Sequence, residues 1–419
     1  MTITHNRQKN MKGKSKLVLI LILGSLTALG PFSIDMYLPG FPAIAKDLNT
    51  TVARVSLSLS GFFIGISAGQ LLYGPLLDKF GRKKPLYIGL FVYILASLGC
   101  VYANTIEQLI IWRFVQAIGS CAAAVASIAM VRDLFPVNEN AKIFALLMLV
   151  VGVSPMVAPT VGGYVTSTFG WHAVFLVLMA LGILNLLTSI FGLPNSYQPD
   201  KDISLKPAPI IKGFIEVIKE PQFYTYALTG AVAFSGLFAY VAGSPMLFMD
   251  IYGLSEENYG WIFAILSIGL IGSSQVNSVL LRRYSSEQLI FAALICQTVT
   301  GVLFLAGSIF GWYGITETVV LLFIFLGCVG FASPNASALS LAPFTKNAGS
   351  ASALMGAIQM GLGTIASIAV SLFDVRSSVP MTSIMACSAI LALAMLTLGR
   401  RNIKIRIDAD PSALTGGLH

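Results

Sequence analysis

Two charged side chains stand where charge is costly. Asp35 lies inside the apolar run LVLILILGSLTALGPFSIDMYLPGFP (residues 17–42), and Arg113 lies a few residues inside another such run. A charge at bilayer depth costs about 2.5 to 3.5 kcal/mol on insertion scales, so each needs a partner, a water-filled cavity or a function. With a first helix entering at Leu17 from the cytoplasm, a rise of about 1.5 Å per residue puts Asp35 about 27 Å along it, in the outer half of the bilayer. Arg113 enters from the outside and occupies the same half, so the two can pair. An acid that is both buried and close to a guanidinium can be moved across its titration point by a shift in hydration or distance, which is what a proton carrier requires. The bland alternatives are an arginine that snorkels to the outer interface and a carboxylate that only caps a helix end.

The elements that position these groups follow from composition. At 56% hydrophobic and 11% charged residues, with mean hydropathy +0.82, the chain cannot be an ordinary soluble domain. Apolar stretches long enough for helices, and too long for barrel strands, recur near 17–38, 53–77, 85–103, 107–131, 141–164, 172–193, 222–248, 259–281, 288–309, 318–342, 349–373 and 380–399. The expected fold class is therefore all-α integral membrane, with twelve transmembrane helices.

Of the 26 Lys and Arg residues, only Lys46, Arg54 and Arg376 fall outside if the N-terminus is inside, and Arg113 lies within the bilayer. The positive-inside rule then places both termini in the cytoplasm. The net charge of +8 is a topology signal, so no nucleic acid is implied. The basic start imitates a signal peptide, but no small-residue cleavage site follows and the run is too long, so an uncleaved first helix is expected. Cys100, Cys121, Cys296, Cys328 and Cys387 fall in spans without CxxC spacing and read as free buried thiols, with neither a metal site nor a cofactor.

The longest polar connection separates two sets of six spans. The expected domains are a tail (1–16), a first six-helix bundle (17–193), a linker (194–221), a second bundle (222–400) and a tail (401–419). Within the linker, Ile210 to Glu220 has helical apolar spacing and suits a short helix on the inner membrane surface. Tyr37, Gly40 and Pro42 match Tyr240, Gly243 and Pro245 at an offset of 203, and LLDKF at 76–80 matches LLRRY at 280–284 at 204. A near-constant offset across six helices suggests a parallel repeat. Asp35 corresponds to Phe238, so the acid belongs to the first half only, which favours function over fold.

Three stretches carry further signals. After the second span comes GPLLDKFGRKK, in which Gly74 suits close helix approach, Asp78 ends the helix and Gly81 permits the turn before Arg82 and two lysines. The fourth span holds Arg113, Gln116 and Gly119. The fifth reads Gly152-Val-Ser-Pro155-Met-Val-Ala158-Pro159-Thr-Val-Gly162-Gly163, where two prolines kink the helix and the glycines admit another backbone.

The first stretch resembles the signature loop of the major facilitator superfamily, the second its arginine motif, and the third its antiporter motif, with Ala158 where Gly is usual. Asp35-Met-Tyr-Leu-Pro39, with Ser333-Pro-Asn-Ala-Ser337 and Ala348 to Ala353, narrows the resemblance to the Bcr/CflA branch of drug:proton antiporters, from about Leu17 to Arg400. The resemblance implies two six-helix bundles around a central cavity, a multi-pass protein of the bacterial inner membrane, and proton-coupled efflux of small neutral or amphipathic compounds such as antibiotics by a monomer. It implies proton coupling through Asp35 and Arg113. It implies a latch between the halves from Gly74, Asp78, Gly81, Arg82 and Asp133, which is doubtful in the second copy, LLRRYSSEQ, because the acid and glycines are lost. Cavity candidates are Tyr37, Gln116, Tyr240 and Asn335.

Other readings remain. A nutrient or metabolite transporter could use the same scaffold, and a sensor that binds without transporting is a third class. A hydrolase rests only on Gly65-Ile-Ser67-Ala-Gly69, which fits a nucleophile elbow but lacks the strand-to-helix turn and a histidine partner, and reads better as packing in Gly61-x-x-x-Gly65-x-x-x-Gly69. Gly361-Leu-Gly363 likewise reads as packing, and His172 beside Trp171 as an interfacial pair. No enzymatic activity is expected.

Overall fold

A computed structural model describes residues 13–135, 137–194, 207–344, 348–373 and 375–403. The first part of the N-terminal tail, residues 195–206 of the linker and the C-terminal tail from 404 lie outside the described residues. Helix α1 spans Gly13–Asp35 and continues through a 3-10 turn, Leu38–Gly40, into α2, Phe41–Asp47. The rest of the first half is α3 (Val52–Phe80), α4 (Lys83–Val101), α5 (Ile106–Leu134), α6 (Val137–Phe169) and α7 (Trp171–Gly192). A linker helix, α8 (Pro207–Ile218), leads to α9 (Pro221–Pro245), which runs on as a π-helical turn, Met246–Ile251. Then come α10 (Glu256–Leu280), α11 (Ser286–Phe310), α12 (Ile315–Leu341), α13 (Ala348–Ser371) and α14 (Val379–Gly399). Among the described residues, twelve helices are long and apolar enough to cross a membrane, and the sequence-predicted spans fall on them in order.

Local chemistry sets the helix ends. Thr51, Thr105, Ser255 and Ser285 cap α3, α5, α10 and α11 by accepting the N–H three residues on. Gly81 ends α3 at φ +82°, a backbone region that favours glycine, as the sequence requires of the turn before Arg82.

Two bundles result. In the first, α3 packs on α5, α4 on α5 and α7, and α1 on α5, α6 and α7. In the second, α9 packs on α12, α13 and α14, and α11 on α12 and α14. The α3–α5 contact is the glycine stripe: a Cβ at Gly65 would lie 2.5 Å from the Phe114 carbonyl, and one at Gly69 2.7 Å from Cys121. Ser67, two residues from Gly65 and from Gly69, lies on a different face of α3 from this stripe. The bundles meet along α3 against α13 and α6 against α10.

Three expectations are corrected here. Among the described residues, nothing lies within 4 Å of where a Cβ on Gly74 would stand, so no described helix makes a close approach there. Gly361 is also open, whereas Gly363 does pack, against Phe238. Cys296 and Cys387 are exposed and only Cys100, Cys121 and Cys328 are buried; all five are free, and the exposed pair lies on outward faces of the second bundle. The linker helix forms where its apolar spacing predicts, and Val217 buries itself in a cluster with Phe223, Ala227 and Ala351, so α8 docks on the start of α13.

Candidate functional site

Arg113 is completely buried. One amino group donates to the Ser33 carbonyl at 2.7 Å and another to Gln116 Oε1. The Tyr37 ring lies 4.1 Å and the Phe62 ring 4.2 Å from the guanidinium carbon. Ser33 sits in the last turn of α1, where carbonyls lack intrahelical partners and the helix dipole favours a cation. Stacking on two desolvated rings contributes about 2 kcal/mol or more. Gln116 in turn donates to Ser97 Oγ at 2.8 Å, and Tyr37 meets Ser58 at 3.3 Å, so α1, α3, α4 and α5 converge on one cation.

Asp35 is not part of that cage. Its side chain is 5% exposed and, among the described residues, accepts no hydrogen bond and forms no ion pair. The expected Asp35–Arg113 pair is therefore not formed in this state, and helix geometry gives the reason. Ser33 and Tyr37, four apart, share the face toward α5, while Asp35, two from each, points about 200° away. The arginine does not snorkel either. What Asp35 approaches is the second bundle, close enough to act electrostatically on the hydroxyls of Tyr240 and Tyr259. Tyr240 stacks on Phe263 at 5.5 Å and its buried hydroxyl has no partner. Tyr259 meets Ser244 at 2.8 Å.

The fifth-span motif places Asp35's helix against both bundles. A Cβ at Gly162 would overlap the Met36 carbonyl at 1.9 Å, and one at Gly163 would lie 2.5 Å from the Glu256 carbonyl. Adjacent glycines thus serve α1 on one side and α10 on the other. Gly260 comes as close to Pro159 and Thr160, and Thr160 donates to the Gly260 carbonyl at 3.2 Å. Ala158 is fully buried, while a Cβ at Gly152, nearer the far end, would meet Ile271 of α10 at 3.6 Å, an ordinary van der Waals distance. Pro155 and Pro159 lie inside α6.

At the opposite face, Arg82 bonds Asp133 at 2.8 Å through Nε and Asp78 through a terminal nitrogen. Burial works against its charge, but the bonds to Asp133 and Asp78 outweigh that and hold the guanidinium above its ordinary pKa. Among the described residues these bonds tie the ends of α3 and α5, both in the first bundle. The cavity candidates separate as well. Tyr37 and Gln116 are consumed by Arg113, and Asn335 is buried against Asn277 at 2.7 Å, 21 residues into α10 and so about 30 Å from its Asp35-facing start. Only Tyr240 stands at the seam beside Asp35.

Sequence reasoning missed Ser33, Phe62, Tyr259 and the serines between the bundles. The available signal was the run Ser56-Leu-Ser58-Leu-Ser60 and the pair Ser367 and Ser371, hydroxyls at helical spacing in apolar spans.

Twelve apolar helices in two bundles, with a buried acid at the seam and packing seams built from small residues, define a polytopic membrane transporter. The chain belongs to the Major Facilitator Superfamily, whose profile matches residues 23–370. It is 36% identical to the uncharacterised MFS-type transporter YdgK of Bacillus subtilis, over 94% of this chain and 98% of that one. It is 32% identical to the bicyclomycin resistance protein homologue of Haemophilus influenzae, over 94% and 99%. Its fold matches a crystal structure of a bacterial homologue of the human lysosomal transporter Spinster in an inward-facing, occupied conformation, with TM-score 0.76, 13% identity and coverage of 94% and 98%. It is a multi-pass protein of the bacterial cytoplasmic membrane.

Proposed function

We propose that the protein is a drug exporter of the Bcr/CflA branch, a monomer that expels small neutral or amphipathic compounds in exchange for protons by alternating access. One observation carries this reading: a buried carboxylate without a partner, Asp35, turned to the seam between the bundles. Protonation there removes a charge from a low-dielectric boundary that must open and close, so proton binding and seam state are linked. One proton moving through 100 mV and one pH unit supplies about 3.7 kcal/mol, enough for a several-hundred-fold gradient. The bicyclomycin resistance name of one relative supports a drug as cargo. Arg113 is enclosed and so not presented to a fixed anion, which suits neutral ligands.

The distribution of Lys and Arg places the Asp35 face outside and the termini in the cytoplasm. The bundles are 17–193 and 222–400, joined by 194–221, with tails 1–16 and 401–419. Asp35 is the proton carrier, and Arg113, with Gln116 and Tyr37, positions the end of α1 that bears it. Tyr240 faces the ligand, and Asn335 supports α12 through Asn277. Gly74, Asp78, Gly81, Arg82 and Asp133 form the cytoplasmic latch, which in this reading docks on the second bundle only when the outer seam opens. Gly152, Pro155, Ala158, Pro159, Gly162 and Gly163 let α6 slide between α1 and α10.

Asp35→Asn keeps the shape and removes the titration. In proteoliposomes it should abolish proton movement driven by bicyclomycin or chloramphenicol while the protein still folds. Intact proton antiport in this variant would overturn the proposal. Lower intracellular drug in expressing cells separates export from uptake of a nutrient.

A further inference from the structure

Among the described residues the hydrogen bonds that join the two bundles all lie at the Asp35 face, and five of the groups that make them are serines, four of them on α3 and α13. Ser371 Oγ donates to Ser56 Oγ at 2.9 Å, and Ser56 Oγ donates to the Ala242 carbonyl at 3.1 Å. One helical turn deeper, Ser60 and Ser367 hydroxyls meet at 2.8 Å. The pairs form two rungs between antiparallel α3 and α13, since Ser56 and Ser60, like Ser367 and Ser371, are four residues apart and share a helix face. All four serines are at least 95% buried. Beneath the rungs, Phe63 of the first bundle and Phe238 of the second meet edge to face at 4.4 Å, with Phe238 seated on Gly363.

We propose that this serine ladder and the aromatic pair beneath it are the gate that seals the Asp35 face, a role that rests on the alternating-access reading above. Its chemistry suits repeated opening. Ser371 also reaches the Ser367 carbonyl at 2.9 Å, and Ser60 the Ser56 carbonyl at 3.5 Å, each one turn back on its own helix. When the bundles part, these two donors keep an acceptor on their own helix, so separation leaves neither as a buried orphan. No ion pair has to be broken along the ladder. The second seam, α6 against α10, packs through glycines and is crossed by two side-chain hydrogen bonds, Thr160 to the Gly260 carbonyl at 3.2 Å and Ser167 to Glu257 at 2.9 Å. Their donors also reach the Met156 and Tyr164 carbonyls of α6 and so keep an acceptor when the seam parts. Phe238 occupies the place in the second half that Asp35 holds in the first, so the repeat supplies a titratable group from one copy and an apolar plug from the other.

The test uses the full-length protein in cells and membranes. Ser60→Cys with Ser367→Cys should form a disulfide under mild oxidation, since hydroxyls in contact become thiols in contact. The cross-linked protein should lose drug export at least tenfold and regain it on reduction, while each single variant keeps export after oxidation. Separately, Ser67→Cys, two turns beyond the ladder on α3, should react slowly with a membrane-impermeant maleimide applied outside. Adding Ser60→Ala and Ser367→Ala should speed that labelling severalfold. The labelling assay does not depend on a drug being carried, so it judges the gate even if export is absent. Failure to cross-link, or unchanged labelling with the ladder removed, or export that survives cross-linking, each overturns the gate. Gel-filtration elution of each variant at the native position verifies folding, and serine-to-alanine changes leave no new volume to accommodate.

Discussion

Arg113 holds the Ser33 carbonyl at 2.7 Å and leaves Asp35, two residues further on, without a partner on the other side of the helix. The cation and the acid are therefore coupled through the rigidity of the end of α1 and not through an ion pair. Arginine does the structural work of ending a helix inside the bilayer, and aspartate is left available to a proton.

This separation predicts the behaviour of a double-mutant cycle. Arg113→Lys keeps the charge but loses the planar stack on Tyr37 and Phe62, and should cost about 1 to 2 kcal/mol, read as a lower thermal midpoint in detergent. Asp35→Asn should not add to or relieve that loss beyond about 0.5 kcal/mol. A larger coupling would mean that the two pair in a populated state.

The adjacent glycines of α6 should fail in different ways. A methyl at Gly162 meets a backbone carbonyl of its own bundle, so Gly162→Ala should destabilise the fold by about 1 to 3 kcal/mol. At Gly163 the obstacle is the Glu256 carbonyl of the other bundle. Gly163→Ala should leave the thermal midpoint nearly unchanged and hold the Asp35 face open, seen as faster outside labelling of Ser67→Cys. Equal loss of stability in both would contradict the assignment of the two faces.

In the latch, Asp133 is the better-buried acid, with its side chain 15% exposed against 46% for Asp78. Asp133→Asn should therefore cost about 1 to 3 kcal/mol and Asp78→Asn under about 1, because solvent screens the exposed partner. Both should impair transport more than ligand binding, as both lie at the face opposite Asp35. Equilibrium binding set beside efflux rates checks this.

Tyr240 offers a test of the seam. Its hydroxyl has no protein partner, so Tyr240→Phe should change stability by no more than about 0.5 kcal/mol or raise it slightly. Export should nevertheless fall, because in the proposed reading Tyr240 is the group at the seam that meets the ligand when the bundles part. Unaltered export would remove Tyr240 from the ligand-facing set.

Apolar runs fixed the number and order of helices, because a bilayer accepts few other solutions for a chain with so little charge, and Gly81 marked where α3 stops. The glycine stripe of α3 and the glycine pair of α6 were legible as close-approach sites, since a missing Cβ is written in the sequence. Their partners were not. The isolated acid and the isolated arginine could also be read as costly and therefore purposeful. That they do not pair was decided by the rotation of α1, which turns Ser33 and Tyr37 to Arg113 and Asp35 to the second bundle. Likewise the sequence supplied serines at helical spacing, but a hydroxyl between two helices becomes a gate only when a distant helix presents another at the same depth. Residue type and spacing set what each group can do, and the facing of one helix against another, set by tertiary packing, chose the group it does it with.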